Sequence, residues 1–298
     1  MTRRGILVGG IGTVLGISGC QAVTKSVVVG STKAALDSTS KFEQQSRDSV
    51  AEAKKNGFNL EPLDERPKDS LLNFPALQAY VKGLKDIPAG SFRYGFFHGQ
   101  SEAAPRVEVS AFRMGATPVT WAIWKEYCDA EAVRLPDEPD WGRLGPHPVV
   151  NVSYDDIVGS NGGGGFCGWV SRIAGFTVAL PTSEQFEFAA RGGEDGFDYP
   201  WGNEFDTSKL WCSLREIGDA KKTAAVDRTY RNYRNGYGLT DMAGNVDQWC
   251  SNDYVRGKEF RGCSWFFLKV DFFRCAYRDW NFPVYRSNDK GFRLVAPA

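Results

Sequence analysis

Residues 238–249 read GLTDMAGNVDQW, and a second short stretch, RGCSW, follows at 261–265. Both stretches set glycine among bulky side chains, and neither is long enough to show a helical or strand period. The whole chain shares this usage, since its 298 residues include 33 glycines and 9 tryptophans. Glycine permits tight turns and tryptophan supplies a large packing surface. The composition therefore predicts an irregular, loop-rich architecture.

Upstream of these stretches, the sequence predicts a few short regular elements. In chain order they are a strand over 106–114, a helix that residues 117–120 lead into and that runs through Tyr127, a helix after Ser153 that the glycine-rich residues 159–165 interrupt, and a helix after Thr182. The last helix has the clearest signal, because Thr182 and Gln185 have the spacing of a capping box. Gly192 and Gly193 are expected to end it.

Six short motifs follow one another along residues 86–295: IPAGSF at 87–92, LPTSEQFEFAARGG at 180–193, YPWG at 199–202, GLTDMAGNVDQW at 238–249, RGCSW at 261–265 and GFRLV at 291–295. In order and spacing they resemble the formylglycine-generating-enzyme (sulfatase-modifying factor) family. The resemblance implies an α+β, C-type-lectin-like fold of the formylglycine-generating-enzyme type, low in regular secondary structure. It leaves the function open, because one fold carries many different sites.

The N-terminus is expected to be a targeting segment that is not part of the folded domain. An apolar run follows two arginines and ends in ISGC at 17–20, which resembles a bacterial lipobox. We expect a signal peptide at 1–19 and a lipid such as palmitate on Cys20, which would anchor the protein to the outer membrane and display it on the surface. A polar helical stalk or linker over 20–71 and a lectin-like domain over 72–298 are expected to follow.

The sequence lacks the cysteine pair that the enzymatic interpretation requires. In the resembled family, formylglycine formation needs a cysteine pair shortly after the position of RGCSW, where soft thiolates bind copper. Residues 265–273 read WFFLKVDFF, with Phe267 about where the first thiol belongs. Cys263 replaces a structural glycine and Cys275 matches a framework position. We therefore expect no enzyme; a formylglycine-generating-type oxidoreductase, or an inactive structural relative of it, is the alternative.

The composition argues against two further functions, an iron-dependent oxygenase and a nucleic-acid-binding protein. An iron-dependent oxygenase of related fold needs three histidines, whereas this chain has only His98 and His147. Its 36 basic and 36 acidic side chains balance, so no basic excess is available to neutralise nucleic-acid phosphates. The sequence predicts no nucleic-acid partner, and we expect a monomer.

The last part of the chain, about 261–295, resembles the variable region of diversity-generating-retroelement proteins. Such regions lie at the extreme C-terminus of a C-type-lectin fold, and their side chains vary while the framework stays. Here Trp265, Phe292 and Leu294 are expected to be core anchors. The candidate binding residues, for an unidentified macromolecular or cell-surface ligand, are Phe266, Phe267, Leu268, Val270, Asp271, Phe272, Phe273, Tyr277, Asp279, Trp280, Phe282, Val284, Tyr285, Ser287, Asn288 and Asp289. The competing interpretation is a buried apolar strand over 266–273.

The sequence does not decide whether the chain binds calcium or which cysteines form disulfides. Asp241, Gly244, Val246 and Gln248 match the calcium loop of the resembled family, but Gln248 replaces the usual glutamate and removes one charge. A structural calcium ion is therefore an alternative, and no other cofactor is expected. Cys128, Cys212 and Cys250 could pair in an oxidising compartment, although spacing does not assign partners.

Overall fold

The computed structural model of the chain describes residues 70–99, 104–160, 164–214, 221–229 and 232–298. These residues lie in one compact unit, Arg66–Ala298. The expected signal peptide, the lipid-bearing Cys20 and all but the last two residues of the expected stalk lie outside the described residues. Within the described part, none of the helices combines the length and the apolar character needed to cross a membrane.

Short helices contribute part of the buried core. The described residues form α1 (Pro75–Lys82), α2 (Trp121–Glu131), α3 (Tyr154–Val158), α4 (Gly165–Ala174) and α5 (Ser183–Ala190), with 3-10 turns at Leu71–Asn73 and Val270–Phe273. Thr182 and Gln185 form the predicted capping box, because each side chain accepts a hydrogen bond from the backbone N–H of the other. Gly192 follows the helix with φ of 65°. The helix predicted after Ser153 is interrupted as expected, giving α3 and α4.

The strands of the described residues are short and form three sheets. They are β1 (Lys85–Ile87), β2 (Gly90–Arg93), β3 (Arg106–Val109), β4 (Phe112–Met114), β5 (Asp247–Tyr254), β6 (Gly257–Arg261), β7 (Arg278–Asn281), β8 (Lys290–Gly291) and β9 (Val295–Pro297). The sheet orders are β1-β4-β9, β2-β3 and β7-β6-β5-β8. All pairs are antiparallel except β5 with β8. Few helices and several small sheets make this the α+β, C-type-lectin-like fold that the sequence predicts.

The single strand predicted over 106–114 is two strands. β3 pairs with β2, whereas β4 pairs with β1 and β9. The chain changes sheet at residues 110–111, so one alternating stretch supplies two unrelated ladders. Sequence alternation reports which side chains are buried, and it does not report which strand lies alongside.

The predicted aromatic anchors lie in the core. Phe292 is fully buried, and its ring centroid lies 5.8 Å from that of Trp124 and 5.3 Å from that of Phe166. Trp265 and Leu294 are also buried. Phe292 ties the end of the chain to α2 and α4, whereas Trp265 packs with Trp211, Ala224 and Trp141. The expected burial of the three anchors is confirmed.

Residues 266–273 do not form the strand of the competing interpretation. They make an exposed loop that ends in the 3-10 turn Val270–Phe273. Among the described residues, Cys128, Cys167, Cys250, Cys263 and Cys275 are buried free thiols, and Cys212 is buried as well.

Candidate functional site

Two loops of the C-terminal region flank the edge strand β7. We call residues 266–273 the first loop and residues 282–289 the second loop. Between 39% and 64% of each of six large apolar side chains is exposed: Phe266, Leu268, Val270, Phe282, Val284 and Tyr285. We call these six side chains the C-terminal surface. Large apolar side chains that stay exposed lower solubility unless something covers them, so these two loops are candidates for a binding site.

A row of aromatic rings runs from the core outward through the first loop. The centroid of Phe266 lies 6.1 Å from that of Phe267, and Phe267 lies 5.5 Å from Phe272. Phe272 stacks on Tyr277 at 4.6 Å with nearly parallel rings. Phe267, Phe272 and Tyr277 are half-buried. These three predicted residues therefore support the exposed side chains and present only part of their own surface.

Phe273 was predicted to be on the binding surface, and this is wrong. Its side chain is 1% exposed and packs in a cluster with Tyr199, Leu210 and Cys212. The 3-10 turn points successive side chains in different directions, so Phe273 turns inward while Asp271 stays exposed and pairs with Arg274 at 3.0 Å. Phe273 anchors the first loop.

Scaffold atoms hold the backbone at the end of the first loop. The N–H of Cys275 donates to the carbonyl of Asp198 at 2.7 Å, and the carbonyl of Cys275 accepts from Nη1 of Arg261 at 2.9 Å. At the start of the loop, the carbonyl of Trp265 accepts from both the N–H and the hydroxyl of Ser213. None of these bonds uses a side chain of the first loop, so substitutions there leave them intact.

The second loop is held by one side-chain ion pair and by main-chain hydrogen bonds. Arg286 donates to the carboxylate of Asp156 at 2.6 and 2.9 Å. The N–H of Asp155 donates to the carbonyl of Pro283, and the N–H of Asn151 donates to that of Ser287. Phe282, Val284 and Tyr285 project between these attachments.

Asp289 is the second predicted surface residue that the structure places in the interior. Its side chain accepts hydrogen bonds from the hydroxyls of Ser264 and Ser287 and pairs with Lys290 at 3.4 Å. Ser287 is half-buried, as is Asn288, whose carbonyl accepts from the indole of Trp265. This end of the predicted site is framework.

The two faces of β7 separate residues that were predicted to act together. Cross-strand partners share a face and neighbours along a strand alternate. Asp279 pairs with Phe260, whereas Trp280 pairs with Glu259 and therefore faces the other way. Gly257 leaves room for the Trp280 ring, since a Cβ there would lie 2.9 Å from Cε3. Trp280 is half-buried on the face away from Asp279, so it does not join Tyr277 and Asp279 in one patch.

Carboxylates outnumber cations on the Asp279 face. Buried Asp247 and Asp289 share the ammonium of Lys290, at 3.0 and 3.4 Å. Burial, and then the charges of Asp289 and Asp279, outweigh the effect of Lys290 and raise the pKa of Asp247 to about 7. Burial and the neighbouring Asp279 raise the pKa of Tyr277, which donates a hydrogen bond to that carboxylate at 3.3 Å. This face therefore carries excess negative charge next to aromatic rings.

The residues expected to bind calcium do not fit the ion. Both carboxylate oxygens of Asp241 accept hydrogen bonds from the guanidinium of Arg228, at 2.5 and 3.1 Å, and both side chains are buried. The amide of Gln248 donates to the carbonyl of Asp241 and accepts from Nε of Arg293 at 2.6 Å. Val246 is a fully buried core residue. A guanidinium thus holds the carboxylate that would have carried the cation.

The thiols near the first loop are unsuited to nucleophilic chemistry. Burial raises the pKa of Cys275 to about 12 and that of Cys263 well above its ordinary value. Cys263 also has φ of 58°, in the left-handed region, as expected for a residue in place of a glycine. A thiolate is the reactive form of cysteine. The described thiols nearest the first loop are therefore framework groups.

Some residues that shape this region were missed from the sequence. Asp156 and Asp198 hold the two loops from more than 70 residues upstream. Asp247 lies in the motif at 238–249 and Lys290 directly precedes the motif at 291–295, and the sequence analysis assigns neither residue to the binding site. No local signal marks a contact between such distant segments, so only the folded chain reveals them.

The chain is similar to a family of sulfatase-modifying proteins that includes enzymes and an inactive relative. The model of the Sulfatase-modifying factor enzyme 1-like domain matches residues 75–298. "Inactive C-alpha-formylglycine-generating enzyme 2" of Mus musculus is 34% identical over 164 residues, which are 51% of this chain and 49% of that protein. "Formylglycine-generating enzyme" of Thermomonospora curvata is 31% identical over 186 residues, 58% of this chain and 55% of that protein. The chain thus spans about half the length of these curated relatives.

A solved structure shares the fold. Treponema denticola variable protein 1 superposes with a TM-score of 0.55, covering 72% of this chain and 95% of that one, at 22% sequence identity. At this identity the likeness establishes the fold alone. The relatives bear names of an enzyme, an inactive homologue and a variable protein, so similarity leaves activity and binding as alternatives.

Proposed function

Because the chain belongs to the family of Sulfatase-modifying factor enzyme 1-like domains, whose fold serves both active and inactive proteins, we propose that it is a ligand-binding protein and not an oxidase. The six side chains of the C-terminal surface contact the ligand. The site is hypervariable, diversified by a retroelement, and the protein is displayed on the outer membrane through a lipid on Cys20.

One observation carries the proposal: the exposed apolar side chains stand on a backbone that scaffold atoms hold. The bonds at Cys275, Pro283 and Ser287 involve main-chain atoms of the variable region and groups outside its exposed side chains. Exposed substitutions usually change stability by less than about 0.5 kcal/mol. A surface built in this way accepts many side chains without losing its shape, which is the requirement for diversification.

The side chains themselves suit binding. Phe and Tyr bring a large contact area with few rotatable bonds, as in antibody paratopes and interface hot spots. The half-buried rings of Phe267 and Phe272 limit the movement of their exposed neighbours. Limited movement lowers the entropy lost on association.

The oxidase alternative has no supporting observation in this region. The family's copper chemistry needs a thiol pair where this chain has WFFLKVDFF, and the flanking Cys263 and Cys275 are buried. The relative named as inactive is consistent with a member of the family that has another role.

A library test addresses binding directly. The six positions of the C-terminal surface are randomised in the displayed chain, and binders to a defined target, hen egg-white lysozyme, are selected. We expect specific binders that lose affinity when the selected residues are reverted. A matched library randomises six exposed positions elsewhere, such as Glu131, Arg134 and Arg256. Equal yields of binders from both libraries, or none from the first, would overturn the proposed site.

The DNA beside the gene tests the diversification. We expect an imperfect copy of the last hundred or so nucleotides next to a reverse-transcriptase gene, differing only at adenines of the copy. Differences at all four bases, or no copy, would contradict the retroelement part of the proposal while leaving the binding surface to be judged by the library.

A further inference from the structure

We infer that the ligand of the C-terminal surface is a protein segment that presents a positively charged side chain, best an arginine, between apolar residues, and that Asp279 receives the charge. This inference rests on the proposed function and names the chemistry of its partner. It is carried by the arrangement of charge and aromatic rings around Asp279.

Asp279 is continuous with the apolar side chains of the first loop. Its carboxylate accepts the hydroxyl of Tyr277 at 3.3 Å, and Tyr277 stacks on Phe272. Through Phe272 and Phe267 this row of contacts reaches Phe266 of the C-terminal surface. A ligand that covers the first loop therefore brings its neighbouring side chains within reach of Asp279.

Aromatic rings also lie on the face of the sheet that carries Asp279. Phe260, the cross-strand partner of Asp279, lies under the ammonium of Lys290 at 4.2 Å, and the ring of Tyr285 lies 5.9 Å from that same ammonium. Asp279 thus contacts Tyr277 and shares its face of the sheet with Phe260. Aromatic faces attract cations, most strongly where water is excluded.

The negative charge of Asp279 is not neutralised by the cations that surround it. Lys290 pairs with Asp247 and Asp289, and Lys258 pairs with Asp253 at 2.7 Å. Arg278 lies on the opposite face of β7, against Tyr254 and Tyr94. Among the described residues, the ion pairs do not include Asp279. Its partners are the Tyr277 hydroxyl and the N–H of Trp280.

Lys269 is the exposed cation of the first loop, and its ammonium lies 5.4 Å from the ring centroid of Phe272. It shows that this row of rings already accommodates a cation. A ligand cation at Asp279 would repel it, so Lys269→Gln should strengthen binding of a cationic partner. Arginine is favoured over lysine in the ligand because its planar guanidinium can both stack on a tyrosine and bond a carboxylate.

The test uses two fluorescein-labelled peptides, Leu-Leu-Arg-Leu-Leu amide and its twin with citrulline, which keeps the shape of arginine and lacks the charge. Fluorescence anisotropy with the full chain measures both affinities. Hydrogen bonds to charged groups contribute about 1.5–3 kcal/mol, so we expect the arginine peptide to bind at least about tenfold more tightly.

Matched variants assign the effect to one carboxylate. Asp279→Asn should reduce the arginine-to-citrulline ratio to about one, because an amide still accepts from Tyr277 but carries no charge. Asp129→Asn, which removes an exposed carboxylate paired with Lys125 on α2, should leave the ratio unchanged. Circular dichroism melting confirms that both variants fold.

Three outcomes overturn the inference: equal affinity for both peptides, no binding of either at millimolar concentration, or a preference for arginine that survives Asp279→Asn. Each leaves the proposed function standing as long as the library on the C-terminal surface yields binders. If the library also fails, the proposed function fails on its own evidence.

Discussion

Arg286 and Asp156 join the second loop to α3 through two hydrogen bonds, at 2.6 and 2.9 Å. Asp156 also accepts the N–H of Ser153 and so closes the capping box of α3. One carboxylate thus fixes a helix start and a loop 130 residues away in the sequence. The loop's shape depends on this pair and on main-chain bonds, which is why its exposed side chains are free to differ.

Arg228 is predicted to replace a cation in the 241–248 loop. Arg228→Ala leaves the buried carboxylate of Asp241 without its partner, and breaking such a pair costs about 3–5 kcal/mol. Urea unfolding measures the loss, with the exposed Arg256→Ala as the control. The wild-type Tm should be the same in excess calcium and in EDTA. A wild-type Tm that falls in EDTA would show that calcium, and not Arg228, holds the loop.

Asp247 is predicted to make stability fall as pH rises. Its pKa is raised from 3.8 to about 7 by burial, so the folded protein keeps a proton that the unfolded chain releases over this range. The free energy of unfolding should therefore decrease between about pH 4 and pH 7, by at most about 1.4 kcal/mol per unit. In Asp247→Asn this part of the slope should disappear. The raised pKa of Lys290 acts only at alkaline pH.

A variant with the wild-type slope would contradict this assignment. The comparison needs unfolding curves for both proteins at the same series of pH values, because other carboxylates contribute to the absolute slope. Only the difference between the two proteins reports on Asp247.

Cys20 is predicted to carry the membrane anchor. Cys20→Ala should move the protein from the membrane fraction to the soluble fraction and remove metabolic labelling by palmitate. Cys128→Ala, which changes a buried thiol, is the control and should keep both properties. Wild-type protein that takes up no label, with a variant that stays in the membrane fraction, would refute the lipid anchor.

The protein is predicted not to form formylglycine. Incubation with copper and a sulfatase-type cysteine peptide should give no aldehyde product by mass spectrometry, because residues 265–273 supply no thiol pair. The Thermomonospora curvata enzyme, assayed in parallel, is the positive control. Copper-dependent conversion of the peptide by this chain would return it to the enzymes of the family.

Local signals in the sequence were reliable where a few neighbouring residues decide the structure. The capping box of Thr182 and Gln185 formed as predicted, and so did the break between α3 and α4. The anchors Trp265 and Phe292 followed from the family motifs on either side of the variable region. Each of these features depends on contacts within a short stretch or on a pattern shared by the family.

Other features depend on contacts that only the fold creates. Phe272 and Phe273 are identical neighbours, yet one is half-buried and the other fills the core, because a 3-10 turn gives them different directions. The pairing of Trp280 with Glu259 placed its ring on the other face of β7. Arg228 forms an ion pair with the carboxylate of Asp241 across a loop. No periodic pattern of hydrophobic residues in the sequence indicates these contacts.

The central claim is that the C-terminal surface is separable from the core beneath it, and the free energy of unfolding of single alanine variants tests it most directly. Phe266→Ala, Leu268→Ala and Val284→Ala should each change it by less than about 0.5 kcal/mol. Phe273→Ala and Trp265→Ala should each cost about 3–5 kcal/mol, as large-to-small changes in a packed core. If the first three variants are destabilised as strongly as the last two, the exposed side chains are part of the core and the account is wrong.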